Sequence, residues 1–219
     1  MRRSRKAREL LKKLRSAEWS DIIDAGIELN RVDGVPLTPL LSVLDKFENP
    51  SNREYAAYAL IGLMLGLESK IHRRRRHRAF ARRVYENDLR GKIARLIKAL
   101  TKVIERDESA KVRGQALETL GMSRLASKRR YKLRRRVEKA VIGALSNESP
   151  EARFWACYAA GSLKIENALP RLAELAENDT GDWGDWWSVA EEAADAVEWI
   201  HGRETEARIP VAQRNAPEK

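Results

Sequence analysis

Apolar residues recur at three- and four-residue steps along most of the chain. The stretches are WSDIIDAGIEL (19–29), EYAAYALIGLML (54–65), KIARLIKALTKVI (92–104), VRGQALETL (112–120), EKAVIGAL (138–145), ARFWACYAAGSL (152–163), RLAELAE (171–177) and VAEEAADAVEWI (189–200). That spacing places the apolar side chains on one face of a helix. No stretch of useful length alternates apolar and polar residues, so strands are not expected. The breaks carry helix-start chemistry. Ser149-Pro150-Glu151 offers a side-chain acceptor, a proline where no amide donor is needed, and an acid near the positive helix end. Asn49-Pro50-Ser51-Asn52 and Asp107-Glu108-Ser109 punctuate in the same manner.

The helices repeat in register. Counting from Arg113, Ala116 stands at +3, Leu120 at +7 and Gly121 at +8; from Arg153, the same places hold Ala156, Ala160 and Gly161. Arg53 is followed by Ala56 and Leu60, Ala190 by Ala193 and Val197, and Ile22 by Ala25 and Leu29. Positions +3 and +7 share a helix face, and the small residue lets a neighbouring helix approach closely. Second helices are predicted in PLLSVLDKF and PRLAELAE, with Pro39 and Pro170 both at +17. The units start at 22, 53, 113, 153 and 190, in steps of 31, 60, 40 and 37. Two helices per unit at such periods predict a stacked solenoid whose neighbours supply one another's core. Arg53, Arg113 and Arg153 share position zero, which reads as a structural ladder between units. Gly62, Gly66, Gly121 and Gly161 read as helix-closing residues.

On these residues, Val112-Arg113…Ala116…Leu120-Gly121 and Ala152-Arg153…Ala156…Ala160-Gly161, with the turns Asp107-Glu108 and Ser149-Pro150, the chain resembles the HEAT-like repeat family, including its phycobilisome-lyase-type variety. The resemblance spans roughly residues 16–202. It implies an all-α, right-handed α-solenoid of about five helix pairs, used as a protein-binding scaffold without implying a chemistry. The expected layout is a basic N-terminal arm at 1–15, with a capping helix over 8–16, the solenoid at 16–202 and a loose tail at 203–219.

Charge changes the picture more than composition does. The 219 residues are 43% hydrophobic and 34% charged, with a net charge of +11. Segments 1–15, 70–83 and 124–136 each hold eight Lys or Arg and together carry +23 over 42 residues. The other 177 residues therefore carry −12, and residues 166–198 alone carry −9. Unit two is longer than its neighbours by roughly two dozen residues and unit three by about ten, and in both the added material is arginine-rich. Corresponding turns of a solenoid line up, so 70–83 and 124–136 are expected to share one basic ridge. Its candidate contacts are Lys70, Arg73, Arg74, Arg75, Arg76, Arg78, Arg82 and Arg83, with Lys128, Arg129, Arg130, Lys132, Arg134, Arg135 and Arg136.

Guanidinium forks match phosphate oxygens, and dense positive charge releases counterions from nucleic acid. Phe80, Tyr85 and Tyr131 are placed to stack on unpaired bases. The expected partner is an acidic macromolecule, nucleic acid (structured RNA or ribonucleoprotein) ahead of an acidic protein surface; other protein subunits are compatible. The competing reading is that the runs are solvated helix faces. No apolar run is long enough to span a membrane, and the basic N-terminus lacks the apolar segment of a signal peptide. A single cysteine excludes an internal disulfide, and a reducing compartment such as the cytoplasm fits.

Catalysis is not expected. Trp183, Trp186 and Trp187 either anchor a protein partner or, with Trp199, seal the end of the solenoid. HEAT-like alkylpurine DNA glycosylases offer one enzymatic parallel, through Trp186-Trp187-Ser188 and Asp185 or Asp195. That cluster lies in the most acidic part of the chain, where a phosphate backbone is repelled. His72, His77 and His201 lack metal-ligand spacing, Cys157 reads as a small packing residue, and Glu191, Glu192 and Asp195 read as a solvated face. No cofactor or metal is expected.

Overall fold

The computed structural model describes residues 9, 12–13, 37–46, 48–73, 79–128, 131–182, 184, 186–208 and 210. The expected first unit from Ile22 and most of the N-terminal arm lie outside the described residues. Among those described, the secondary structure is helix and turn, without strands. The helices are α1 (Leu37–Lys46), α2 (Pro50–Arg73), α3 (Ala79–Arg106), α4 (Ala110–Gly121), α5 (Arg134–Ala144), α6 (Pro150–Ser162), α7 (Leu169–Asn178) and α8 (Val189–Ile200). The 3₁₀ turn Glu166–Ala168 leads into α7.

The four described first helices begin where the register requires. They stack in succession, α2 on α4, α4 on α6 and α6 on α8, while α1, α3 and α5 form the second row. This is an α-solenoid. Ala56, Ala116, Ala156 and Ala193, the four +3 positions, are all fully buried. Leu60, Ile93, Leu96, Ile97, Leu100, Leu117 and Phe154 fill the space between the rows. Two expectations change. Helix α2 runs 24 residues, straight through Gly62 and Gly66. And residues 201–208, after α8, form no helix.

Three arginines tie the units together. Arg53 on α2 forms a fork with Asp107, Nε to Oδ2 at 2.8 Å and Nη2 to Oδ1 at 2.9 Å, while its Nη1 donates to the Glu48 carbonyl. Arg113 on α4 donates to the Asp107 carbonyl at 2.7 Å and to Asn147 Oδ1 at 3.2 Å. Arg153 on α6 donates to the Asn147 and Glu148 carbonyls and forks Asp179 at 2.6 and 2.9 Å. Each guanidinium thus joins the turn before its own helix to the turn before the next first helix. The acceptors have a second task. Asn49, Asp107, Asn147 and Asp179 each take a hydrogen bond from the backbone N–H two residues on, at Ser51, Ser109, Ser149 and Gly181. These Asx turns do what the sequence assigned to serine, since Ser109 and Ser149 make no side-chain cap. Burial pushes the Asp179 carboxyl up, but the Arg153 fork and the Gly181 N–H hold it below the ordinary carboxylate range.

Glycines set the spacing between the first helices. A Cβ at Gly161 would lie 2.8 Å from the Ala196 Cα and 2.7 Å from the Trp199 ring. Gly121 faces Tyr158 and the Ala159 backbone in the same way. Gly143, by contrast, has nothing within 4 Å. Gly161→Ala is therefore expected to cost about 1–3 kcal/mol by overpacking. Gly143→Ala, unobstructed in the last turn of α5, should gain up to about 0.5 kcal/mol. Urea denaturation followed by circular dichroism checks both signs.

Candidate functional site

The arginine-rich part of unit two is only partly a connection. Its first residues, Lys70 to Arg73, end α2, and Arg82 and Arg83 lie in the first turns of α3. Arg74, Arg75, Arg76 and Arg78 lie outside the described residues, as do the side chains of Arg73, Arg82, Arg83, Phe80 and Tyr85. The added length of unit two goes mainly into two long helices, of 24 and 28 residues. Unit three behaves differently. Between α4 and α5 the described residues, 122–128 and 131–133, form a series of turns.

Those turns are held by one buried carboxylate on α2. Glu68 accepts from Ser123 Oγ at 2.7 Å, from the Arg124 N–H at 2.9 Å and from the Leu125 N–H at 3.0 Å. Ser123 Oγ in turn accepts from the Ala126 N–H. A carboxylate holding three donors in a buried place fixes the start of the loop two residues from Lys70. Lys128, Lys132, Arg135 and Arg136 are exposed beyond it. Arg136 donates to Thr101 Oγ1 at 2.7 Å, which lays the start of α5 along α3. Arg129 and Arg130 lie outside the described residues.

Two of the expected contacts are not on the surface. Arg134 is 6% exposed and caps three carbonyls, those of Ala126, Leu163 and Lys164, besides pairing with Glu138 at 2.7 Å. It closes the α4–α5 turn against the α6–α7 turn, with four of its five N–H groups used and its side chain buried away from a phosphate. Tyr131 packs against the core, its hydroxyl buried. Burial first, and then Glu68, push its phenol above the ordinary value. It serves as an anchor for the loop, not as a stacking platform.

The C-terminal third is a second distinct region. Trp186 is 39% exposed, Trp187 is half-buried, and Trp183 lies outside the described residues. Trp187 packs tilted against Phe154 and edge-on to Trp186, which closes the end of the core. Ser188 and Glu191 form a capping box that starts α8. Glu192 and Asp195 do not form a solvated face: they are 1% and 6% exposed. Glu192 accepts from Trp187 Nε1 at 2.6 Å, and Arg208 forks Asp195 at 2.5 and 2.8 Å. Residues 203–208 are therefore not a loose tail. Arg203 pairs with Glu198, Trp199 Nε1 donates to Thr205, and Arg208 returns to α8.

The sequence reading passed over Trp155 and Tyr158, which join Trp186, Trp187 and Trp199 around a cleft of about 400 Å³. The three-residue step from Trp155 to Tyr158, outward from buried Phe154 and Cys157, was the available signal. Burial raises the Cys157 thiol far above its ordinary range, in keeping with a packing role. No group of three or more His, Cys, Asp or Glu among the described residues is arranged to hold a metal ion. No described helix is long and apolar enough to cross a membrane.

Residues 97–198 match the family model described as HEAT repeats. The match takes in the end of α3 and most of α4 to α8, and the ladder and the stacked helices are those of a HEAT-like repeat. No curated protein matches it. Among solved structures it is similar to the complex of CpcE and CpcF of phycocyanin lyase from Nostoc sp. PCC7120, at 19% identity over 73% of this chain and 96% of that one, with a TM-score of 0.42. It is also similar to computationally designed armadillo repeat proteins for modular peptide recognition, at 14% identity over 87% and 98% of the two chains, with a TM-score of 0.39. An engineered protein aligns at 16% identity over 90% and 97%, with a TM-score of 0.40.

Burial is the main cause that pushes Glu192 up to about 7; the Trp187 N–H opposes it, Asp195 adds to it and Arg208 opposes it. A carboxyl raised in the folded state stabilises the fold below its unfolded pKa and loses that contribution as pH rises through about 7. Glu192→Gln should therefore gain on the wild type between pH 5 and pH 8, by on the order of 1–3 kcal/mol. Thermal melts of both proteins at the two pH values read the difference.

Proposed function

We propose that this HEAT-like scaffold is non-catalytic and docks a nucleic acid, structured RNA foremost, through its arginine-rich edge. The observation that carries the reading is the Glu68 tether, which joins the start of the second basic segment to the last turns of α2, beside the first. The exposure of Lys128, Lys132, Arg135 and Arg136 beyond that tether, and the Arg136 bond that lays the start of α5 along α3, support the reading. Their flexible cations neutralise backbone phosphates, and nothing in the segment suggests base-edge readout, so binding follows shape and charge. The acidic C-terminal third repels the same ligand and orients it towards the basic end.

A labelled RNA hairpin titrated by fluorescence anisotropy tests this. With about six phosphates neutralised, affinity should fall roughly a thousandfold between about 50 and 200 mM salt. The triple substitution Lys128→Glu, Lys132→Glu and Arg135→Glu should abolish binding while the helical spectrum stays unchanged. Unchanged RNA affinity in that variant overturns the reading. So does a pull-down in which co-purifying proteins survive nuclease treatment, which would assign the edge to an acidic protein surface instead.

A further inference from the structure

The cleft at the acidic end is walled by aromatic rings set nearly at right angles to one another. Trp155 meets Tyr158 at 5.7 Å and 87°, and Trp186 at 6.3 Å and 74°. Tyr158 meets Trp199 at 6.2 Å and 88°, and Trp186 meets Trp187 at 5.5 Å and 87°. Such turns present ring faces as well as edges to the space between them, and ring faces carry negative charge. Glu192 lines the same space, 1% exposed. Its Oε2 holds the Trp187 N–H, but its Oε1 is buried without a partner. A buried acceptor left unsatisfied is costly and calls for an explanation.

The neighbouring groups narrow the ligand. Asp195 already has a cation, the Arg208 fork supplied by the chain itself. Glu192 feels the charge of the same Arg208 but has no hydrogen bond from a cation in the structure. Glu118 and Glu206 also line the cleft, and the lining Arg208 is already forked to Asp195, which disfavours an anion. A hydrated metal ion would find aromatic rings where it needs oxygen ligands. A neutral apolar ligand would leave Glu192 Oε1 unpaired. An alkylated ammonium meets both demands, since its methyl groups lie against ring faces and its charge faces the carboxylate.

We propose that the aromatic cleft closed by Trp155, Tyr158, Trp186, Trp187 and Trp199 binds a quaternary ammonium cation, with Glu192 as its counter-charge. Free amines of the choline type and trimethylated lysine side chains share this chemistry. The raised affinity of Glu192 for a proton gives the site a pH signature. The titratable and charged groups around it are Asp195 and Glu191, both paired with Arg208, Glu118 from α4, Glu206 from the segment after α8, and Tyr158 and Cys157 from α6, both kept neutral by burial. Glu118 is also raised by burial, so the Glu192→Gln variant is what isolates the Glu192 contribution.

Isothermal titration with the full chain tests the site, using choline, its neutral isostere 3,3-dimethylbutan-1-ol, and short peptides carrying lysine or trimethyllysine. Choline, the trimethyllysine peptide or both should bind, with the neutral or unmethylated counterpart roughly tenfold weaker. The tighter of the two cations assigns the source. Affinity should rise with pH through about 7 in the wild type and stay flat in Glu192→Gln, which should also bind roughly tenfold more weakly. Trp186→Ala, at an exposed ring, should weaken binding with the helical spectrum unchanged. Equal binding of choline and its isostere, undiminished binding in Glu192→Gln, or no heat with any cation overturns the proposal.

Discussion

Arginine contacts between successive units, those of Arg53 and Arg153 being carboxylate forks, are the interaction on which the arrangement depends. A helix pair cannot bury both of its apolar faces, so each unit needs its neighbour at a fixed distance and angle. Arg53, Arg113 and Arg153 supply that constraint at the turns, where a solenoid has little apolar surface to offer. The planar guanidinium is suited to it, because one fork satisfies a carboxylate while the remaining N–H groups cap helix-end carbonyls. Glycines at 121 and 161 act at the other end of the same helices, where the next unit comes within contact distance of their backbone. Register is thus pinned at one end by charge and at the other by the absence of a side chain.

With the units held in that way, the chain can keep its charges apart. Cations collect on the long unit two and on the turns of unit three; carboxylates collect on the last two units. Each group is tied down by a residue of the opposite charge. Glu68 holds the basic loop, and Arg208 holds the acidic wall. A fixed counter-charge lets a like-charged region stay ordered although its members repel one another. The same logic separates the two proposed sites, one suited to phosphates and one to an organic cation, on a single scaffold.

The repeat was legible because it is written in local terms. Small residues at +3, apolar residues at +7 and arginine at position zero describe a helix face, and a face is what a sequence specifies directly. Arg53, Arg113 and Arg153 could be read as a ladder, but not their acceptors, which lie up to 54 residues away. The site was less legible for the same reason. Arg134 sits within a run of like residues, and only the fold turns it inward onto the Ala126, Leu163 and Lys164 carbonyls. Glu192 and Asp195 look like solvated acids on a helix until Trp187 and residues 203–208 cover them. Trp155 and Tyr158 belong to the preceding unit, so the cleft exists only once two units have stacked.

A double-mutant cycle at Arg153 and Asp179 tests the central constraint most directly. Arg153→Met, Asp179→Asn and the double variant are compared with the wild type by urea denaturation. The ladder predicts that either single change costs about 3 kcal/mol. It also predicts a coupling on the order of 2 kcal/mol between them. Additivity within about 0.5 kcal/mol would show that the fork does not hold the units together, and would contradict the account.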